Sequence, residues 1–202
     1  MKILLTGFEP FNGEKINSSW EVVQSLGEKN PGPGEIIVCC LPTVFGEGLK
    51  KIIAAVDSIQ PQLIIGTGQA GGRSELCVER VALNVADAEI SDNQGQQPLD
   101  EPIRPRGPTA YWATLPIKSM VKRIREEGIP ARVSNSAGTY VCNEVMYGLL
   151  HHLEAKQIPA RAGFIHIPFL PQQAIGRPGT PSMALETAVR GLEAALQSAL
   201  KD

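Results

Sequence analysis

The sequence predicts an α/β protein: a mostly parallel, twisted central sheet with helices on both of its faces. Three observations carry this reading. Strand-like apolar runs alternate with stretches of helical period from one end of the chain to the other. Several of the runs are apolar on consecutive residues, as expected of strands buried on both faces. The chain has 202 residues, 43% apolar and 20% charged, which suits one ordinary domain over 1–202 with a substantial core.

The elements follow in order. "KILLTGF" is a first strand ending near Gly7. In "NSSWEVVQSLG", Ser18 and Glu21 have the spacing of a capping box, and Gly27 stands where a helix stop would. "EIIVCCLP" is a second strand. "GEGLKKIIAAVDSIQP" puts Leu49, Ile52, Ile53, Val56 and Ile59 on one helical face and ends before Pro61. "QLIIGTG" is a third strand, running into the glycine-rich "GTGQAGGR". "ELCVERVALNVADAEI" alternates as one or two strands do.

Residues 92–109, rich in Pro, Gly, Asp and Gln, read as a long loop, and loops of that length are usually functional or mobile. "LPIKSMVKRIREEG" is a helix with Ile117, Val121 and Ile124 inward. "ARVSNSA" is a strand, and "VCNEVMYGLLHHLEA" a helix so apolar that it should be mostly buried. "AGFIHIPFLP" is the last strand. "TPSMALETAVRGLEAALQSAL" is the last helix, with Thr180 as N-cap and Pro181 in its first turn.

Bulk properties exclude several classes of function. Net charge is −2, from 19 basic and 21 acidic residues, and no basic patch stands out, so no nucleic acid or anionic membrane is expected as partner. No apolar run approaches the roughly 20 residues that span a bilayer. The opening residues read as a strand rather than a signal peptide, so a cytoplasmic location is expected. The four cysteines, Cys39, Cys40, Cys77 and Cys142, include no C-x-x-C pair, and there are three histidines. Neither a disulfide scaffold nor a metal site is expected.

Cys142 holds the chemical interest. It follows a strand-like run and a glycine turn at Gly138, and it opens a helix. Strand-to-helix junctions at the carboxyl end of a parallel sheet are where α/β proteins place chemistry. A helix N-terminus offers unpaired N–H groups and a positive dipole end. Both favour a thiolate, so a lowered thiol pKa is expected here. The ordinary alternative is a small buried residue in a tight junction.

A nucleophilic cysteine needs a base. His151 and His152 lie on the same helix, roughly 13–15 Å along its axis, too far to serve. His166 lies in the apolar run "GFIHIPFLP" and could meet Cys142 across neighbouring strands. A third group should orient the imidazole. Glu79, in "LCVERVALN", is a carboxylate within a strand-like run; its alternative is a simple ion pair with an arginine. Cys39, Cys40 and Cys77 read as small core residues.

Taken together, these residues resemble one known family. "TGFEPF" near the start, "GQAGGR" at 68–73, "ERVALNVADA" at 79–88, "GTYVCN" at 138–143 and "HIPFLP" at 166–171 stand in the order found in pyroglutamyl peptidases of type I. The similarity runs from about Lys2 to the last helix. It implies an open α/β/α sandwich and a homotetramer. It also implies a thiol peptidase that removes N-terminal pyroglutamate (5-oxoproline) from peptides, without metal or organic cofactor. On that resemblance Cys142 is the nucleophile, His166 the base and Glu79 its orienting carboxylate. Phe8 and Phe11 would sandwich the lactam ring, Ile90 and Val141 would add apolar wall, and Asn17 and Gln69 would supply polar contacts. A flat, neutral lactam suits such a pocket.

The chain departs from the family pattern twice. Ser18 follows Asn17 where a proline is usual, and Glu89 precedes Ile90 where many members carry arginine. Two other readings stay open on the sequence. One is a cysteine amidase acting on glutamine amides. The other is a small-molecule binder built on "GTGQAGGR", which matches neither the P-loop nor the G-x-G-x-x-G spacing.

Overall fold

The computed structural model describes residues 1–30 and 34–201. Its centre is a six-stranded sheet in the order β2-β1-β3-β8-β4-β7. The strands are β1 (Lys2–Phe8), β2 (Glu35–Leu41), β3 (Leu63–Gln69), β4 (Leu76–Glu79), β7 (Ala131–Ser134) and β8 (Arg161–Ile167). β1 pairs in parallel with β2 and β3, and β3 with β8. β4 pairs antiparallel with β8 and parallel with β7, so two strands run against the other four. A small second sheet joins β5 (Val81–Leu83) to β6 (Ala110–Trp112).

Helices cover both faces, as the alternating pattern predicts. α1 (Ser18–Lys29), α3 (Ile117–Glu126) and α6 (Leu185–Lys201) bury Val22, Leu26, Met120, Ile124 and Leu192 with Ile3, Ile65, Val78, Ile165 and Ile167 of the sheet. On the other face α2 (Glu47–Ile59) and α4 (Val141–Ala155) bury Ile52, Val56, Val145 and Leu149 with Leu4, Ile64 and Phe164. Alternate residues of β8 thus serve opposite cores, which is the period of a strand. α4 is the most enclosed helix, as its composition predicts, with Val141, Val145, Met146, Leu149, Leu150 and Leu153 all buried.

Local details differ from the sequence expectation. The N-cap of α1 is Asn17, not Ser18: its side chain accepts from the Ser19 N–H. Gly27 does not stop that helix, which runs on to a left-handed Asn30. Gly27 is there because a Cβ would come within 2.5 Å of Val38 Cγ1 on β2. α6 begins at Leu185 rather than at Thr180 and Pro181, because Met183 N–H is drawn to Phe169 O, two residues past β8. Cys77 is fully buried, whereas Cys39 and Cys40 are only half-buried, because β2 is an edge strand.

The long loop is held along its length. It joins β5 to β6, a strand that the sequence reading did not include. The Asp92 carboxylate accepts from the N–H groups of Phe45, Gln94 and Gln96. An isolated bridge pairs Ala86 with Glu101. A short α5 (Pro171–Ala174), also not foreseen, follows β8.

Candidate active site

The carboxyl end of β8 sets the site. His166 is the register partner of Gly68 on β3 and of Cys77 on β4. Its neighbours Ile165 and Ile167 face the α1–α3–α6 core, so the imidazole faces the opposite, α2–α4 side. Phe164, two residues earlier, shares that side, its ring centre 5.1 Å from the imidazole. Glu79 closes β4 two residues after Cys77 and shares its face. Its Oε1 accepts from His166 Nδ1 at 2.7 Å. With Nδ1–H turned to a carboxylate, the lone pair of the neutral ring lies on Nε2.

Cys142 arrives from a different element. Gly138 has φ +82, a left-handed turn that brings the chain from β7 into α4. Tyr140 is the N-cap residue, and Asn143 and Glu144 donate to its carbonyl. Cys142 therefore lies in the first helical turn, half-buried, at the positive end of α4. A Cβ on Gly68 would come 2.6 Å from the Cys142 sulfur, so the sulfur occupies the space that this glycine leaves open. Since Gly68 is the parallel register partner of His166, thiol and imidazole lie on the same face of the sheet over adjacent strands.

The electrostatics correct one expectation. Burial pushes the Cys142 thiol up to about 12, with the Glu79 charge adding to it, against the lowering pull of Arg73 and of the residue's own N–H. Desolvation of the sulfur therefore opposes the pull of the helix end, and the thiol is raised rather than lowered. Glu79 shows the opposite balance. Burial alone would raise its carboxyl, but the hydrogen bond and charge of His166, with help from Arg73, hold it below the usual range.

The remaining candidates fall into distinct settings. Val141 is fully buried beside the thiol, and Ile90 lies exposed on the long loop. Phe8 is also buried and packs on Phe164, with ring centres 6.4 Å apart, as a core residue does. Phe11 is half-buried and stacks obliquely on Tyr140 at 5.9 Å. Asn17 is buried and works as a cap: Oδ1 takes Ser19 N–H and Oγ, and Nδ2 donates to Glu9 O. Gln69 Oε1 accepts from Ser18 N at 3.0 Å and from Gln173 Nε2 at 2.8 Å. Both partners are donors, so its NH₂ group is what Gln69 retains for a ligand. Glu89 is exposed to solvent.

The two other histidines have structural partners. His151 Nδ1 meets Tyr111 Oη at 2.8 Å, and His152 Nε2 meets Asp57 Oδ1 at 2.7 Å.

Three residues of the neighbourhood escaped the sequence reading. Arg73 Nη1 donates to Glu79 Oε1 at 2.9 Å. Tyr140 lies between the rings of Phe11 and Phe45. Gln173, buried on α5, holds Gln69. Arg73 and Tyr140 lie inside motifs already singled out. Gln173 gives no sequence signal, being one of two adjacent glutamines in a four-residue helix. No group of three His, Cys, Asp or Glu side chains able to hold a metal ion occurs among the described residues. Clefts of about 540 and 530 Å³ open elsewhere, beside Tyr111 and Trp112 and along α3.

Comparison with known proteins places this arrangement. The family model described as pyroglutamyl peptidase matches residues 1–202. A pyrrolidone-carboxylate peptidase of Erwinia tasmaniensis is 55% identical over 199 residues, covering 98% of this chain and 92% of the relative. One of Bacillus cereus is 53% identical over 195 residues, covering 96% and 91%. The crystal structure of pyroglutamyl peptidase I from Bacillus amyloliquefaciens superposes with a TM-score of 0.96 at 45% identity, covering 100% of this chain and 97% of that one. A mutant pyrrolidone carboxyl peptidase from Pyrococcus furiosus superposes at 0.95 and 44% identity, covering 100% and 99%. A match that leaves no part of the sequence outside it, at these identities and over one shared fold, means that the chain belongs to the pyroglutamyl peptidase family.

Proposed function

We propose that this chain is a thiol peptidase that removes N-terminal pyroglutamate from peptides, with Cys142 as nucleophile, His166 as general base and acid, and Glu79 as the carboxylate that orients the imidazole. One observation carries the reading. The imidazole bound to Glu79 at 2.7 Å lies on the strand position registered with Gly68, and Gly68 is where the Cys142 sulfur rests.

The chemistry follows from the protonation states. Burial raises the Cys142 thiol, which favours passing its proton to the imidazole as the sulfur attacks. Cys142 Sγ bonds to the pyroglutamyl carbonyl carbon, and its proton passes to His166 Nε2. The carbonyl oxygen becomes an oxyanion, stabilised by the Cys142 N–H at the head of α4. The C–N bond then breaks, and Nε2 returns the proton to the departing amine, leaving a thioester. Water adds with His166 again taking a proton, and the C–S bond breaks to release pyroglutamate and the thiol. Glu79 keeps the ring in the Nδ1–H tautomer throughout.

The ring of the substrate is assigned to a pocket of Phe8, Phe11, Ile90 and Val141, with Asn17 and Gln69 as polar contacts. Of these, Gln69 has a free NH₂ to offer the lactam oxygen, and Asn17 acts chiefly through its cap. A glutamine or proline head would leave this half-buried donor unpaired or misfit the ring. Glu89 stands in solvent and leaves the triad electrostatics alone.

A single catalytic domain, a homotetramer and a cytoplasmic location complete the proposal. The four free cysteines suit a reducing compartment, and exposed Leu99, Trp112 and Ile175 suit subunit contacts. No helix among the described residues is long and apolar enough to cross a membrane.

The test is turnover of a pyroglutamyl chromogenic amide beside its glutaminyl counterpart, by the parent and by Cys142→Ala. Cleavage of the pyroglutamyl amide alone, abolished in the variant with the fold retained, is expected. Preference for the glutaminyl amide would overturn the substrate, and turnover by Cys142→Ala would overturn the nucleophile.

A further inference from the structure

We propose that Arg73 is a positioning residue of the thiol site: its guanidinium supplies Glu79 with a permanent countercharge, so that the carboxylate orients His166 without locking it as an imidazolium. The proposal rests on the triad reading above.

The geometry starts from the buried carboxylate. Glu79 is fully buried, and a buried carboxylate is costly unless paired and hydrogen-bonded. A neutral imidazole offers a donor but no charge. Arg73 Nη1 lies 2.9 Å from Glu79 Oε1, the same oxygen that His166 Nδ1 meets at 2.7 Å. Oε2 has no partner among the described residues. Ser134, registered beside Glu79 on β7, gives its hydroxyl to Ser136 O instead. One oxygen therefore carries both functional contacts, and Arg73 is the only full charge among them while the imidazole is neutral.

The consequence for the base is direct. A buried carboxylate with no other countercharge favours the charged form of whatever imidazole it binds. An imidazolium cannot accept the proton of Cys142. A guanidinium on the same oxygen offsets that field, and it stays charged at any working pH. The loop chemistry suits this. Arg73 N–H turns back to Ala70 O just after β3, and the side chain is 27% exposed, so it reaches the buried acid from the rim.

Arg73 acts on the nucleophile in the same sense. Its charge lowers the Cys142 thiol, against Glu79 and burial. The titratable groups next to this cluster are Cys77 and Glu79 from β4, His166 from β8, Cys142 from α4 and Tyr140 at its N-cap. The nearby Glu75–Arg132 pair, 2.9 Å apart, satisfies itself. Without Arg73, Glu79 would be the one permanent charge felt by both sulfur and ring.

The experiment compares Arg73→Gln and Arg73→Lys with the parent. It records kcat/KM on a pyroglutamyl amide across pH, the pH dependence of Cys142 alkylation by iodoacetamide, and Tm. Arg73→Gln keeps a donor but removes the charge. Its acid limb should move up by about one pH unit, and its rate at pH 7 should fall about tenfold or more. Alkylation should slow in parallel. Arg73→Lys should recover most of the limb position. An acid limb of Arg73→Gln that coincides with the parent's would overturn the proposal, whatever its Tm, and so would a lysine variant displaced as far as the glutamine one. Arg73→Met serves the same comparison if the glutamine variant does not fold. Cys142→Ala separates the two readings: activity surviving in it removes the triad, whereas an inactive Cys142→Ala beside an unshifted Arg73→Gln removes only the role of Arg73.

Discussion

Glu79 Oε1 and His166 Nδ1 lie 2.7 Å apart although 87 residues separate them in the chain. The contact exists because β4 runs antiparallel to β8 with Cys77 as the register partner of His166, so that Glu79, two residues on, lies on the same face diagonally across from the imidazole. The two strands are neighbours in space through a crossover that includes α3, β7 and α4.

Replacing that carboxylate by its amide tests the orienting role. Glu79→Gln removes the charge and permits the wrong imidazole tautomer, so kcat should fall about 10²–10⁴-fold with a smaller change in KM. His166→Ala should lose at least as much. Steady-state kinetics on the pyroglutamyl amide decide it, and a Glu79→Gln enzyme within threefold of the parent would rule the role out.

Gly68 is expected to be intolerant for a reason of space. A Cβ there would lie 2.6 Å from Cys142 Sγ and 2.9 Å from the Phe164 ring. Gly68→Ala should displace the sulfur and lower kcat/KM by about 10-fold or more, in keeping with the sensitivity of attack geometry. Overpacking here should also cost roughly 1–3 kcal/mol of stability. Parental kinetics in Gly68→Ala would mean that the thiol rests elsewhere.

Gln173 should govern affinity for the lactam. It donates to Gln69 Oε1 at 2.8 Å and accepts from Leu170 N at 3.0 Å, which fixes which end of the Gln69 amide faces a ligand. Gln173→Ala frees that amide to flip. KM should rise about 3- to 30-fold while kcat stays near the parent value, the range expected for one hydrogen bond. A variant in which kcat falls and KM holds would contradict this assignment.

Acid should destabilise the fold through Glu79. Its carboxyl is held low in the folded state and returns to the ordinary range of about 4.3 on unfolding. The stabilisation is therefore complete above that value and fades as pH drops through the folded-state value. Thermal midpoints should decline below about pH 4.5, with a shallower decline in Glu79→Gln than in the parent. Identical slopes for the two proteins would show that Glu79 does not carry the effect.

Much of this was legible in the sequence for identifiable reasons. Period and composition mark β1, β3, β8 and α4 because strands and helices buried on both sides leave long apolar runs. Glycine and proline punctuation located α2 and α3. Helix ends were less legible. Gly27 reads as a stop, yet α1 continues past it because Val38 requires the missing side chain. Thr180 and Pro181 read as a helix start, yet Met183 is held by Phe169 O. In both places a contact distant in sequence overrides a local preference.

The sequence by itself determined the alternation of elements, a cysteine at the head of an apolar helix, a histidine inside a strand and a carboxylate in another. It could not say which faces those residues share. That was decided by the crossing of β4 against β8 and by the register of β3 with β8, which turn three distant positions toward one end of the sheet. It also set the surroundings of the sulfur, since a local helix dipole favours the thiolate, whereas burial over Gly68 raises the thiol. Local chemistry is written residue by residue; burial and adjacency are properties of the assembled sheet.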